Sequence, residues 1–221
     1  MENKNMIESL RGNTSLIIST LGFFVLCFLS IPLFNGVEYD TIPYYLRISN
    51  YISILFFTIG LIQSLRINIE RGTKFKKIYA KFLVTNNILM LMSIIIVFDN
   101  IYYLSAIQNG IDLYNFWLLN IITTVSSFAL YTIGCTLLLT KYKILLKFIT
   151  PKTRTFIGLL FMLASYTIYI VRIIIFIKIP SIADNDFLII ISTFIIVGFY
   201  IAILSLVRQY SVFKVKENIK D

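Results

Sequence analysis

Histidine is absent from the chain, which removes the commonest general base, the commonest transition-metal ligand and every Ser-His or Cys-His nucleophile. The two thiols add little. Cys27 and Cys135 fall in the middle of apolar runs, where a cysteine behaves as a small, poorly reactive hydrophobe. No helical segment pairs two carboxylates for acid–base work, so the sequence predicts neither an enzyme nor a metal or cofactor site. Two charges remain inside apolar runs, Asp99 and Arg172. Arg172 precedes Lys178 by six residues and Asp99 precedes Leu104 by five, which at about 1.5 Å per residue puts both roughly 7–9 Å inside the same end of their helices. A charge at that depth is costly unless paired or hydrated. The spacing predicts an Arg172–Asp99 contact, a water-filled cavity shared by the two, or an Arg172 that snorkels outward.

Around these charges lie uncharged polar side chains at helical spacing. Asn120, Thr124, Ser127, Tyr131 and Gly134 follow i, i+4, i+7, i+11 and i+14, and Ser165, Tyr169 and Arg172 line one side of a later segment. Asn86 and Asn87 can join them. Faces of this kind let helices approach and hydrogen-bond, or they line a polar route. Asp99, Asn120, Tyr169 and Arg172 are therefore the intramembrane candidates.

The elements that must hold these residues follow from composition. The 221 residues are 58% hydrophobic and 14% charged, against roughly 45–50% and 25% in an ordinary soluble domain. The mean hydropathy is +0.84. A hydrocarbon core of about 30 Å takes roughly 20 helical residues to cross, and six stretches qualify: Ser15–Phe34, Pro43–Leu65, Phe82–Leu104, Phe116–Thr140, Phe156–Ile177 and Phe187–Val207. The expected fold is all-α, a single six-helix transmembrane domain spanning residues 1–221. The runs lack the alternation of a membrane barrel. Asp40-Thr41 before Pro43, Thr150-Pro151, and Asp184 to Asp186 mark helix starts.

Charge sets the expected orientation. With a cytoplasmic N-terminus, all of the 20 basic residues except Arg47, Arg172 and Lys178 fall on the cytoplasmic side, as the positive-inside rule requires. Both termini are then cytoplasmic, in a cell-membrane protein that passes the bilayer several times. The net charge of +9 is met by anionic lipid and calls for no nucleic acid. Lys4 and Arg11 before an apolar run imitate a secretion signal, yet the run is long and no small-residue cleavage site follows, so it is expected to stay uncleaved. Phe57–Gly60, Tyr131–Gly134 and Ile195–Gly198 look alike; they read as the trace of three helical hairpins or as chance.

Between the second and third spans, Phe75, Ile78, Tyr79 and Phe82 recur at i, i+3, i+4 and i+7, with Lys74, Lys76, Lys77 and Lys81 between them. This predicts a short basic amphipathic helix on the cytoplasmic interface, held by anionic lipid or docking a partner. Glu70-Arg71-Gly72-Thr73 opens it. There the chain resembles the ABC-2 type permeases, six-span proteins with Glu-x-Gly-Thr at the start of a cytoplasmic coupling helix after the second span. Met6, Ile7 and Leu10 extend the likeness as the apolar side of an N-terminal interfacial helix. The resemblance implies an exporter's permease subunit, with Glu70, Gly72, Thr73, Phe75, Lys76 and Lys77 contacting a separate nucleotide-binding ATPase. The chain has no Gly-x-x-x-x-Gly-Lys-Ser/Thr loop of its own. The alternative is a membrane sensor, immunity or accessory protein that binds a ligand or partner in the bilayer and transports nothing; the short outer loops favour it. A second copy of the chain is a further candidate partner.

Overall fold

The structure, a computed structural model, describes residues 7–30, 38–65, 73–139, 150–177 and 186–218. All regular structure among them is helical. A π-helical turn, Ser9–Thr14, runs directly into α1, Ser15–Phe28. There follow α2, Tyr44–Ser64; α3, Thr73–Gln108; α4, Tyr114–Leu139; α5, Pro151–Ile177; and α6, Asp186–Asn218. Among the described residues, six helices are long and apolar enough to cross a membrane. α3 carries Ile94, Ile95, Ile96 and Val97 in one run, residues that favour strands in water. In apolar surroundings the helix wins because it satisfies every backbone group within one segment.

The ends of the helices show how each is started and stopped. α2 begins after a 3-10 turn, Tyr39–Thr41, and the Pro43 carbonyl accepts from the amides of Leu46 and Arg47. At the start of α5, Thr150 Oγ1 accepts from the amide of Thr153, with Pro151 at the first helical position. Between α3 and α4, Gly110 adopts φ +72°, Gly110 N donates to Ile107 O and Ile111 N donates to Ala106 O. That pair of bonds closes a helix on a left-handed glycine and turns the chain sharply back. Asp112 Oδ1 then accepts from the amide of Tyr114 to open α4.

α3 is the hub. It packs against α1, α2, α4 and α6, and 78% of its apolar window is buried, compared with 17% for α5. α5 lies at the periphery, chiefly on α4. Among its described side chains the buried residues are Arg154, Gly158, Ser165 and Arg172, all on one face, while Phe156, Leu159, Leu160, Leu163 and Ile170 point away from the bundle. Among the described side chains of α5 no hydrophobic one is buried. A helix so arranged puts polar groups inside and apolar ones outside, the distribution that suits hydrocarbon as solvent.

Two helices outrun the stretches that hydropathy marks. The sequence predicts a short separate basic helix before Phe82, but α3 continues without a break from Thr73 to Gln108. No Gly or Pro lies between Lys74 and Lys81 to interrupt it, so this segment is the first part of one continuous helix and not a separate helix. Its buried register differs as well: Ala80, Leu83 and Val84 face inward, whereas Phe75, Ile78 and Phe82 are exposed. α6 passes Val207 and ends only at Asn218. With 36 and 33 residues, α3 and α6 are about 54 and 50 Å long at 1.5 Å per residue. The starts of α1, α3 and α5 and the ends of α2, α4 and α6 share one end of the bundle, called the basic end below. The opposite end holds Tyr45, Tyr103, Tyr114 and Trp117 in mutual ring contact.

Candidate functional site

Three helices converge on one guanidinium. Asp99 of α3, Thr124 of α4 and Arg172 of α5 are all buried, and the paired charged side chains are only 2% and 0% exposed for Arg172 and Asp99. Arg172 Nη2 donates to Asp99 Oδ1 at 2.5 Å, and Nη1 donates to Thr124 Oγ1 at 2.5 Å. The arginine is thus turned into the bundle and away from the snorkelling direction. Asp99 Oδ2 is buried and has no hydrogen-bond partner among the described residues.

The rest of the inner face of α5 reaches α6. Tyr169 OH donates to the Thr193 carbonyl at 2.6 Å, and Ser165 Oγ donates to Tyr200 OH at 2.7 Å. Tyr200 in turn stacks on Tyr131 of α4, centroids 4.2 Å apart, with Tyr166 edge-on to both rings. The polar residues of α5 therefore act as fasteners, tying a peripheral helix to three neighbours. Asn120 is buried one turn before Thr124 on the same side of α4. Glu70 and Gly72 lie outside the described residues. Thr73 starts α3, Phe75 stacks on Tyr79, and Lys76 and Lys77 are half-buried in the first turns.

A second polar knot, which the sequence reading did not single out, sits one residue further along α3. Asn100 Nδ2 donates to Asn50 Oδ1 at 2.6 Å and to Ser49 Oγ at 3.1 Å, while its Oδ1 accepts from Trp117 Nε1 at 2.8 Å. One amide so joins α2, α3 and α4. Toward the basic end, Asn86 Nδ2 donates to Gln63 Oε1 at 3.4 Å, and Ser15 Oγ donates to Asn87 Oδ1 at 2.8 Å. A signal existed: Asn86, Ser93 and Asn100 recur every seven residues and all three are buried, the spacing of one helix seam. Interhelical hydrogen bonds in membranes average about 0.6 kcal/mol each, so Asn100→Ala, which loses three, should cost about 2 kcal/mol. The unfolding midpoint in mild detergent measures the loss. The emission of Trp117, the only tryptophan, should shift in the same variant and stay constant in Ser205→Ala.

Among the described residues this arrangement joins helices to one another. Among the described residues no three of His, Cys, Asp and Glu come together to hold a metal ion. A groove of about 410 Å³ on the outer side of α4 and α5 is lined by Thr123, Ala164, Thr167, Ile168 and Val171. The hydroxyls of both threonines bond back to their own helices, which leaves the groove apolar walls. Residues 4–221 match the family described as Domain of unknown function (DUF5079). The chain belongs to that family. No curated protein and no solved structure matches it. Because the match to DUF5079 runs from residue 4 to 221, it takes in all six helices and both polar knots.

Proposed function

We propose that this chain is an integral protein of the cell membrane that crosses the bilayer six times with both termini in the cytoplasm. It binds a ligand or partner as a sensor, immunity or accessory protein, and neither passes solute through its own bundle nor catalyses a reaction. The position of α3 carries this reading. It takes the middle of the bundle, the place that a water-filled route through one copy would need, and the polar residues there are engaged with neighbouring helices. The basic residues support the orientation, since only Arg47, Arg172 and Lys178 fall elsewhere. Reporters fused after Asp221 and within residues 66–72 should read as cytoplasmic, and reporters within residues 35–38 and 179–185 as external. An odd number of crossings between the termini would end the proposal.

A second reading keeps the exporter's permease subunit. The observation in its favour is that Glu70-Arg71-Gly72 leads straight into the first turn of α3, where a cytoplasmic ATPase would reach it. Purification of a tagged chain from mild detergent separates the two. Under the first reading no nucleotide-binding subunit co-purifies in stoichiometric amount. Under the second it does, and Glu70→Ala or Gly72→Leu abolishes its recovery without lowering expression.

A further inference from the structure

The turn that leads into α2 sets two opposite charges side by side at the end of the bundle remote from the basic end. Thr41 N and Thr41 Oγ1 both donate to the Glu38 carbonyl, and Ile42 N donates to Tyr39 O. Ile42 and Leu46 then bury their side chains in an apolar cluster with Trp117, which fixes the turn and the start of α2 to the bundle. Asp40 and Arg47 stand on this anchored frame. Arg47 Nη1 lies 3.9 Å from Asp40 Oδ1, past hydrogen-bond length, and the Asp40 side chain is 96% exposed. The guanidinium carbon of Arg47 is 5.3 Å from the ring centroid of Tyr39 and 5.9 Å from that of Tyr44. Tyr39 is itself tied to α2 by a hydrogen bond between its hydroxyl and that of Tyr51. Contact with ring faces positions the arginine without consuming its N–H donors.

We propose that Arg47 and Asp40 bind the zwitterionic headgroup of phosphatidylethanolamine in the outer leaflet, Arg47 taking the phosphate and Asp40 the ammonium. Membrane placement, as proposed above, is the premise. The rings fit that level: Tyr45, two residues before Arg47, contacts Tyr114 and Trp117, as an aromatic girdle at a membrane boundary does. Asp40 precedes α2 and Arg47 lies in its first turn, so the two charges straddle the start of the apolar helix Tyr44–Ser64. The surroundings select among headgroups. Glu38 is exposed on the same turn as Asp40, so two carboxylates stand against one guanidinium and work against an anionic lipid. A choline headgroup carries both charges but has no N–H to give Asp40. A soluble amino acid carries both groups as well, and the surface below argues for the lipid. Ile48, Tyr51, Ile52 and Leu55 continue along α2 from Arg47 and are between 38% and 57% exposed, the apolar track that acyl chains beneath a headgroup require.

The test uses the full chain purified in mild detergent and mass spectrometry under conditions that keep bound lipid. The probes are phosphatidylethanolamine, phosphatidylcholine and phosphatidylglycerol with the same acyl chains, supplied in equal amounts. Because both charges are partly hydrated, the effects are those of surface ion pairs, and the wild type should retain phosphatidylethanolamine about threefold over either competitor. Asp40→Asn should bring it down to the level of phosphatidylcholine, and Arg47→Gln should lower its retention about threefold. Lys152→Gln, an exposed lysine at the basic end, should change neither. Equal retention of the three lipids by the wild type overturns the proposal, and so does a preference for phosphatidylglycerol or an Asp40→Asn protein that discriminates as the wild type does. Displacement of the lipid by millimolar O-phosphoethanolamine overturns it too, since a soluble zwitterion would then be the occupant. Should Arg47→Gln fail to fold, Asp40→Asn alone is read; its side chain is almost wholly in water, so the variant should keep the wild-type unfolding midpoint. Flotation with vesicles of phosphatidylcholine alone separates the premise from the site. A chain that does not float loses the membrane placement, and one that floats without the headgroup preference loses this site alone.

Discussion

Asp99→Asn and Arg172→Gln should be the most damaging conservative substitutions in the chain. Each leaves one member of a fully buried ion pair without its counter-charge, and breaking a buried pair from one side costs about 3–5 kcal/mol. Arg172→Gln also removes the donor to Thr124, so the hydrogen bonds from this arginine to α3 and α4 are lost at once. Either variant should unfold in mild detergent well below the wild type. Replacing both partners, Asp99→Leu with Arg172→Met, should cost less than either single change, because no isolated charge remains. The exchange Asp99→Arg with Arg172→Asp should recover part of the loss. If the losses of the two single variants simply add in the double, the two residues do not depend on one another and the contact contributes little.

Gly134→Ala should come next, through backbone geometry and not charge. A Cβ at Gly134 would stand 2.7 Å from the carbonyl oxygen of Gly158 and 2.7 Å from Met162 Cγ. The first of these is main chain, so relief requires α4 and α5 to move apart. Overpacking of this kind costs about 1–3 kcal/mol, and Gly134→Leu should exceed that range and expose α5 to proteolysis at its Thr150–Pro151 start. Gly158→Ala should be milder, since its nearest neighbour is Leu138 Cγ at 3.0 Å. Gly198→Ala meets nothing within 4 Å and should be neutral or slightly stabilising, because alanine suits a helix interior better than glycine. Unfolding midpoints of the four variants would test the order. A Gly134→Ala protein as stable as Gly198→Ala would show that the two helices are not held at this distance.

The glycines also show where sequence reading stops. Phe57–Gly60, Tyr131–Gly134 and Ile195–Gly198 are alike as strings, yet Gly60 is crowded by Ser19 and Met90, Gly134 by the α5 backbone, and Gly198 by nothing. Which helix lies opposite a residue is not recorded in its own neighbours along the chain. Hydropathy marked the six apolar stretches because helices that cross hydrocarbon must be apolar over about 20 residues. It misplaced the ends of α3 and α6, because a helix can continue past the level at which its surroundings turn polar. Asp99 and Arg172 were legible as a pair because two charges in apolar runs at matching depth have few other partners. Asn100 was not, since its acceptors Ser49 and Asn50 belong to α2 and carry no charge to announce them.

The inverted character of α5 bears on how the protein is made. In the membrane placement proposed above, helices leave the ribosome in order and each is tried against lipid as it emerges. An arginine at the centre of a lone helix costs about 2.5–3.5 kcal/mol at that trial; Arg172, five residues from the end of α5, brings a part of that cost, with Ser165 and Tyr169 on the same side. Asp99 and Thr124, the groups that receive this arginine, belong to α3 and α4, which are synthesised earlier. The chain order therefore presents α5 with a finished berth, and the tight Gly110 turn brings α3 and α4 together before their client arrives. Moving α5 ahead of them by circular permutation would keep every native contact and yet send the helix into lipid with its arginine unmet.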